Sequence, residues 1–411
     1  MVEIDGERLL GSLHHLRTFG ARGNGVVRPT FSDVDMAARR WLADQMTEAG
    51  LDAHIDGAGN VIGRSPNPGP AVVLGSHSDT QPEGGWLDGA MGVMYAIEVA
   101  QTLLADPETA HLAVDVAAWA DEEGTYGTCL GSRSFVGDLR DAELAGTNAE
   151  GESIIEALAR VGLADVEPAR LDPSRHIAYL EAHIEQGPHL EDSGNRIGVV
   201  TGIVGIRGRT VRFDGEQNHA GSTPMPRRKD AAAALFEFGV RFGERFAAVA
   251  GPTSVWTIGN LGVHPGAESI VPGSAWCRVQ YRDPSAEVMS RFDATLDELI
   301  ADLDAKSPCA VTAEPADHGM EPVVMDPAIV RGLGAAAAAR VPGGWVEMPS
   351  AAGHDANMFA PHLPCGMLFI PSIGGVSHDF SEDSDEADIV LGCQVFADGV
   401  ARVLSSGAAS V

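Results

Sequence analysis

Three short apolar runs in the first half of the chain each end in a polar cluster: AVVLGSHSD at 71–79, HLAVDVAAWADEE at 111–123 and IAYLEAHIEQG at 177–187. Runs of this length, bounded by turn residues, predict buried strands. Helix-like segments separate them at about 89–104 and 152–162. Another helix is predicted after Phe31-Ser32-Asp33-Val34-Asp35-Met36, which has the form of a capping box: Ser32 as N-cap, Asp35 three positions on, and Phe31 placed to staple onto Met36. It runs to about Gly50. Strands alternating with helices predict an α/β sheet covered on both faces, with ligands collecting at the carboxyl ends of the strands.

From about 205 the texture changes to alternating, glycine-punctuated segments (GIRGRTVRFDG, GSAWCRVQYRD) with helical stretches near 229–248 and 287–304. That pattern predicts a separate α+β unit. After about 318 the strand–helix pattern resumes, through an alanine-rich stretch at 327–340 and the run GMLFIPS at 366–372. The expected organisation is a discontinuous α/β catalytic domain with a mixed sheet covered by helices, residues 1–205 and 318–411, interrupted by a smaller α+β domain at 206–317. A length of 411 residues agrees with two to three units of roughly 150 residues.

Charge narrows the partners. Lys+Arg 28 against Asp+Glu 58 gives a net charge of −30, a field that repels nucleic acid and anionic membranes, so neither is expected as a partner. The opening MVEIDGERLLGSLHHL has no basic stretch leading into an apolar one, and no run approaches the ~18 apolar residues of a membrane span. A cytoplasmic protein is expected. The five cysteines, Cys129, Cys277, Cys309, Cys365 and Cys393, are scattered and never spaced as CxxC, so they read as small core residues rather than disulfides or thiolate ligands.

The unusual polar residues sit at the predicted strand ends. In Gly75-Ser76-His77-Ser78-Asp79 a period of two places His77 and Asp79 on one face, where Asp79 can orient the imidazole. Asp88 follows in Gly84-Gly85-Trp86-Leu87-Asp88-Gly89, either as a helix N-cap in a glycine turn or as a ligand. Asp121-Glu122-Glu123 crowds three carboxylates at one sheet edge, as a solvated acidic turn or as a metal ligand beside a general base. His183 in LEAHIEQG and His378 in GGVSHDF end two further strands. Histidines and carboxylates converging in this way suit zinc, manganese, cobalt or nickel. His14, His15, His111, His264 and His318 read as ordinary surface or core residues.

Taken in order, HSDTQPEGGWLDGAMGV, DEEGTYG, LEAHIEQGPHLE, NHAGSTPMPRRKDA, SAAGHDA and GGVSHDFSED resemble the M20 metallohydrolases. Within them the chain is similar to the carbamoylase branch of N-carbamoyl-L-amino acid hydrolases, β-ureidopropionases and allantoate amidohydrolases. The resemblance implies two divalent metal ions held by His77, Asp88, Glu123, His183 and His378, with Asp88 bridging and Glu122 as general base. A bridging carboxylate holds two cations about 3.5–4 Å apart and their shared water becomes hydroxide near neutral pH. Glu122 would take the water's proton and deliver it to the leaving nitrogen.

The resemblance also makes the inserted domain a lid and dimerisation unit, with His219 of Asn218-His219-Ala220-Gly221-Ser222 donating to the developing oxyanion, a contact worth ~2.7–4 kcal/mol. Without the family, His219 is a histidine in a glycine-rich turn. Arg282 matches an arginine that forks onto a substrate carboxylate, the competing reading being a pair with Asp283. Gln186 either hydrogen-bonds the ureido group or ends its strand. A lid of this kind implies hinges near 205 and 318 and a homodimer in which His219 can act across the interface.

The sequence departs from the family pattern in three places. Ser269 stands where an asparagine contacts the substrate carboxylate, Thr125-Tyr126 where Arg-Phe is common, and Ala351 where a glycine precedes Ala352-Gly353-His354-Asp355. The expected activity is hydrolysis of a linear ureido or amide C–N bond in a small molecule, an N-carbamoyl-L-amino acid first. Allantoate or ureidoglycolate hydrolysis is the nearest alternative. N-acyl amino-acid deacylation or dipeptide hydrolysis is kept open by Ser269, and a catalytically silent metal-binding protein would have lost Glu122 or a ligand.

Overall fold

The computed structural model describes residues 2–314 and 319–405; His318, expected at the domain boundary, lies outside them. The chain forms two compact units, Met1–Thr201 with Val324–Val411, and Gly202–Val323. These boundaries fall outside the expected 205 and 318. The ladder contact between Ile206 and Met320 keeps both residues inside the second unit, which begins earlier and ends later along the chain than expected.

The first unit is built on a nine-stranded mixed sheet. At its centre Ala71–His77 lies parallel to Ala113–Trp119 on one side and His176–Ile184 on the other, and Cys365–Ile370 is parallel to His176–Ile184. Every residue of Ala71–His77, Ala113–Trp119 and Cys365–Ile370 is buried, as expected of parallel strands covered on both faces. The helix Ala90–Ala105 packs against the three central strands. All five cysteines are buried and free, as their scatter predicted.

Parallel strands all bring their carboxyl ends to one edge, which places the segments after His77, Trp119, Ile184 and Ile370 together. The predicted helix Asp33–Glu48 supports that edge. Ser32 caps it, and Phe31 and Met36 share a core cluster, as the staple requires. The box closes differently from the expectation: Asp35 accepts the Phe31 N–H at 2.9 Å and pairs with Arg39 at 2.8 Å, one turn on. Arg39 is fully buried and donates to the carbonyl of Gly59 at 3.0 Å, with Asp79 4.0 Å away.

In the second unit Val255–His264, Ser274–Asp283, Gly205–Asp214 and Ala310–Ala313 form an antiparallel sheet in that order. Burial alternates along Ser274–Asp283, so one face carries the core. The helices Ala231–Val249 and Ala286–Lys306 cover that face through Phe242, Phe246 and Phe292; Phe246 and Phe292 pack around Tyr281 of the strand and stack on each other at 4.5 Å. No helix among the described residues is long and apolar enough to cross a membrane.

The Arg39→Met variant keeps the helix but leaves Asp35 and Asp79 buried without their cation. We expect a loss of about 3–5 kcal/mol in chemical denaturation of the first unit. A loss below ~1 kcal/mol would mean that the pair is not what supports this edge.

Candidate metal centre

The five predicted ligands meet at this edge, each delivered by a different segment. His77 is the last residue of its strand and His183 the penultimate one of its own, while Glu123 and His378 lie in the loops after Trp119 and Ile370. Asp88 comes from the glycine turn before the helix Ala90–Ala105. It does not cap that helix: Gly89 holds the cap position at φ 63°, without a side-chain bond. A Cβ on Gly89 would stand 2.4 Å from the His77 ring, so glycine is what lets the turn pass beneath the imidazole.

Asp88 divides its two oxygens between two sets of donors. Its Oδ1 faces His183 Nε2 at 3.2 Å and His77 Nε2 at 3.7 Å. Its Oδ2 faces His378 Nε2 at 3.2 Å, which lies 3.9 Å from Glu123 Oε2. The groups His77–Asp88–His183 and Asp88–Glu123–His378 each keep their ligand atoms within 4.8 Å of one another. Ligand atoms 2.0–2.2 Å from a common tetrahedral centre stand roughly 3.3–3.6 Å apart, a spacing these distances bracket. Glu123 Oε1 is buried with no hydrogen-bond partner, a cost that coordination of a cation would remove. The donor set therefore fits divalent metal.

Backbone carbonyls hold the histidines in the ligating tautomer. His183 Nδ1 lies 2.9 Å from the Ile184 carbonyl and His77 Nδ1 3.1 Å from that of Asp79, so each Nδ1 carries the proton and Nε2 faces inward. The expected contact from the Asp79 carboxylate is not made. It stands 3.8 Å from His77 Nδ1, because the strand ends at His77 and its period of two does not reach residue 79. Asp79 accepts instead from the Glu123 N–H at 3.2 Å and faces Arg39, joining two ligand-bearing loops.

Crowded carboxylates dominate the electrostatics. Burial, then the charges of Glu123 and other acids, push the Glu122 carboxyl well above its ordinary range, and burial with Asp88 pushes Glu123 up to about 8. The Asp88 hydrogen bond raises His378 to about 9. Burial opposes the same effect at His183, which Asp88 nevertheless raises to about 9. Glu122 Oε2 is 3.8 Å from His77 Nε2, and its Oε1 accepts the Cys129 S–H at 3.6 Å. A high-lying carboxyl beside the ligands is suited to moving a proton.

Several supporting residues escaped the sequence reading. Glu382, fully buried, accepts the N–H groups of Leu87 at 3.3 Å and Asp88 at 3.0 Å and the Ser377 hydroxyl at 2.7 Å, fastening the Asp88 turn to the His378 loop. Trp86 donates to Asp383 at 3.1 Å and stacks on His14 at 5.2 Å. Asp121 folds the acidic loop by accepting the N–H groups of Thr125, Tyr126 and Gly127. Asp121, Cys129, Gln186 and His378 all have positive φ, and a fifth, Phe31, leads into the supporting helix. An acidic residue three positions after a ligand histidine loop, as Glu382 follows Asp379, was a weak signal that a fold was needed to read.

Gln186 spends its amide nitrogen within the protein. Its Nε2 donates to Asp88 Oδ2 at 3.2 Å and to Ser377 at 3.1 Å. In the second unit His219 pairs with Ile270, and the Ser269 carbonyl accepts the Ala220 N–H at 2.9 Å, so His219 and Ser269 share one turn. His219 Nδ1 accepts from Gly221 at 3.0 Å and Ser222 at 3.1 Å, which puts the proton on an exposed Nε2. Arg282 is at the other end of the Ser274–Asp283 strand, opposite Val255 and Ile206. It donates to Gln280 Oε1 at 3.0 Å, whereas Asp283 points to the buried face and binds Ser254 and Ser285.

Residues 73–402 match the family described as peptidase family M20/M25/M40. The chain is 36% identical over 406 residues to an N-carbamoyl-L-amino acid amidohydrolase of Geobacillus stearothermophilus, covering 95% of this chain and 97% of that protein. It is 33% identical over 398 residues to the allantoate amidohydrolase of Escherichia coli K12, covering 94% and 95%. A crystal structure of an amidase of the hydantoinase/carbamoylase family from Burkholderia phymatum aligns with a TM-score of 0.91 at 49% identity, covering 99% of each chain.

The Glu382→Ala variant leaves two backbone donors behind Asp88 unpaired. Metal affinity, read by chelator competition, should fall about 10–100-fold. Unchanged affinity would show that the Asp88 turn holds its shape unaided.

Proposed function

The chain belongs to the M20/M25/M40 peptidase family, and on that premise we propose that it is a metal-dependent amidohydrolase cleaving the ureido bond of N-carbamoyl-L-amino acids to the amino acid, carbon dioxide and ammonia. The observation that carries this reading is the shared carboxylate: Asp88 presents one oxygen to His77 and His183 and the other to Glu123 and His378. Two divalent cations, zinc, manganese, cobalt or nickel, held there would polarise the scissile carbonyl and acidify water.

The chain's own residues supply the remainder. Glu122, set beside His77 in a buried pocket of negative charge, accepts the proton of the attacking water and returns it to the leaving nitrogen. His219 offers an Nε2–H whose direction is fixed by two backbone donors on Nδ1, the form needed to stabilise oxygen charge. Arg282 receives the substrate carboxylate. Because His219 sits in the small ladder with Ile270–Val271, next to the Ser274 end of the strand whose far end carries Arg282, the reading is that two copies of the chain complete each site. Two features of the second unit support a homodimer: Phe236 and Val240 are 67% and 64% exposed on the helix Ala231–Val249, and Val255–His264 is an outer strand.

Allantoate is the second reading, supported by the relative at 33% identity. Ser269, one hydroxyl in place of an amide, bears on how the acid group is held and so on which ureido acid fits.

Ammonia release from N-carbamoyl-L-amino acids, allantoate, ureidoglycolate and N-acyl amino acids, with metal-reloaded protein, tests the assignment. Turnover of an N-carbamoyl-L-amino acid that stops on chelation is expected, and cleavage of acyl substrates alone would sink it. Glu122→Gln should lower kcat about 10²–10⁴-fold with metal content retained. His219→Ala should lower kcat about 10²–10³-fold with metal content unchanged, and full activity in that variant would remove His219 from the mechanism.

A further inference from the structure

Away from the metal centre, the first unit contains a cavity of about 230 Å³ along the strand Ala113–Trp119. None of its lining residues belongs to the ligand set. Its floor is apolar, with Ile62, Val73, Ala117, Trp119 and Phe135, and Trp119 and Phe135 lie 5.1 Å apart. An engineered apolar cavity of about 150 Å³ is enough for benzene, so this one has room for a six-carbon body and a polar head.

The walls are cationic in a chain of net charge −30. Arg64, Arg170 and Arg175 line the cavity, against the carboxylates of Asp115 and Asp172. Asp115 is already satisfied. Arg175 forks onto it with two bonds of 2.7 Å, and Ser65 N–H and His176 Nε2 take its remaining positions at 2.8 and 3.2 Å. The Asp172 N–H donates to His176 Nδ1 at 3.0 Å, which fixes the neutral tautomer that donates to Asp115. That network forms a rigid wall with no charge to spare. Arg170 spends Nη1 on the Ser134 carbonyl and hydroxyl, and its Nε and Nη2 bond to none of the described residues. Arg64 is exposed and donates to none of the described residues, with Asp172 feeling its charge.

We propose that this cavity binds a small monocarboxylate with a compact apolar body, the body on Ala117 and Trp119 and the carboxylate between Arg64 and Arg170. Guanidinium forks suit a planar carboxylate, and the buried aromatic floor favours an apolar tail. The site is separate from the hydrolytic centre, and its occupancy does not depend on which bond that centre cleaves.

Calorimetric titration of the metal-loaded protein with benzoate and 4-methylpentanoate, and with benzyl alcohol as the uncharged counterpart, tests this. Saturable binding of both acids is expected, with Kd raised at least ~10-fold in the exposed-residue variant R64E/R170E while ureido turnover stays unchanged. Ala117→Leu, which fills the floor, should abolish it. Equal affinity in the parent and R64E/R170E proteins overturns the proposal, because the acids would then be bound elsewhere, at the metals included. So does alcohol binding as tight as benzoate, or no saturation below ~10 mM.

Discussion

Negative charge concentrated at one end of a parallel sheet is the constraint around which the first unit is arranged. Asp79, Asp88, Glu122, Glu181, Asp355 and Glu382 are all buried there, and like charges in a poorly solvated site repel strongly. The countermeasures come from every level of structure. Arg39 reaches in from a neighbouring helix, imidazoles are locked by carbonyls with their basic nitrogens inward, and backbone N–H groups converge on Asp121 and Glu382. The remaining imbalance is what suits the site to receiving cations.

Backbone strain follows the same distribution. Asp121, Cys129, Gln186 and His378 adopt left-handed conformations that glycine would take at lower cost, and each lies in or beside a loop that carries a candidate ligand or Glu122. Such conformations cost about 1–3 kcal/mol each and persist only where the surroundings over-determine them. Here the surroundings are fully buried strands and an extensive hydrogen-bond network. The second unit shows the contrary design: its core covers one sheet face, and the turn with His219 is exposed, its imidazole held by local bonds.

Much of this was legible without coordinates, for a physical reason. Parallel strands are continuous apolar runs, and a run that ends in His-x-Asp or Asp-Glu-Glu shows both the element and the polar cost it must meet at its end. The candidate histidines and carboxylates of the strand ends followed from that pattern, and the resemblance joined them with Asp88 and His378 into one ligand set. What stayed hidden was everything reached across the fold. Arg39 carried no signal of its own and Glu382 only a weak one, and Asp79 was read as the partner of His77, whereas a turn diverts it towards Glu123. Gln186 was read as a partner of the ureido group or as a strand end, and its Nε2 donates to Asp88 from a backbone of positive φ. Local pattern carries strand and helix; second neighbours depend on where loops turn.

The division of Asp88 between two donor groups has a consequence for how such a centre can change. Each of the other four residues belongs to one group only, so replacing His183 or Glu123 alters a single group and leaves the other's donors in place. Residue 88 has no such freedom. A carboxylate shared in this way couples the occupancies of the two positions, since a cation in one withdraws charge from the oxygen facing the other. Selection can therefore retune metal preference asymmetrically through the histidines and Glu123, while the aspartate and the glycine that admits it must persist together as one inherited unit.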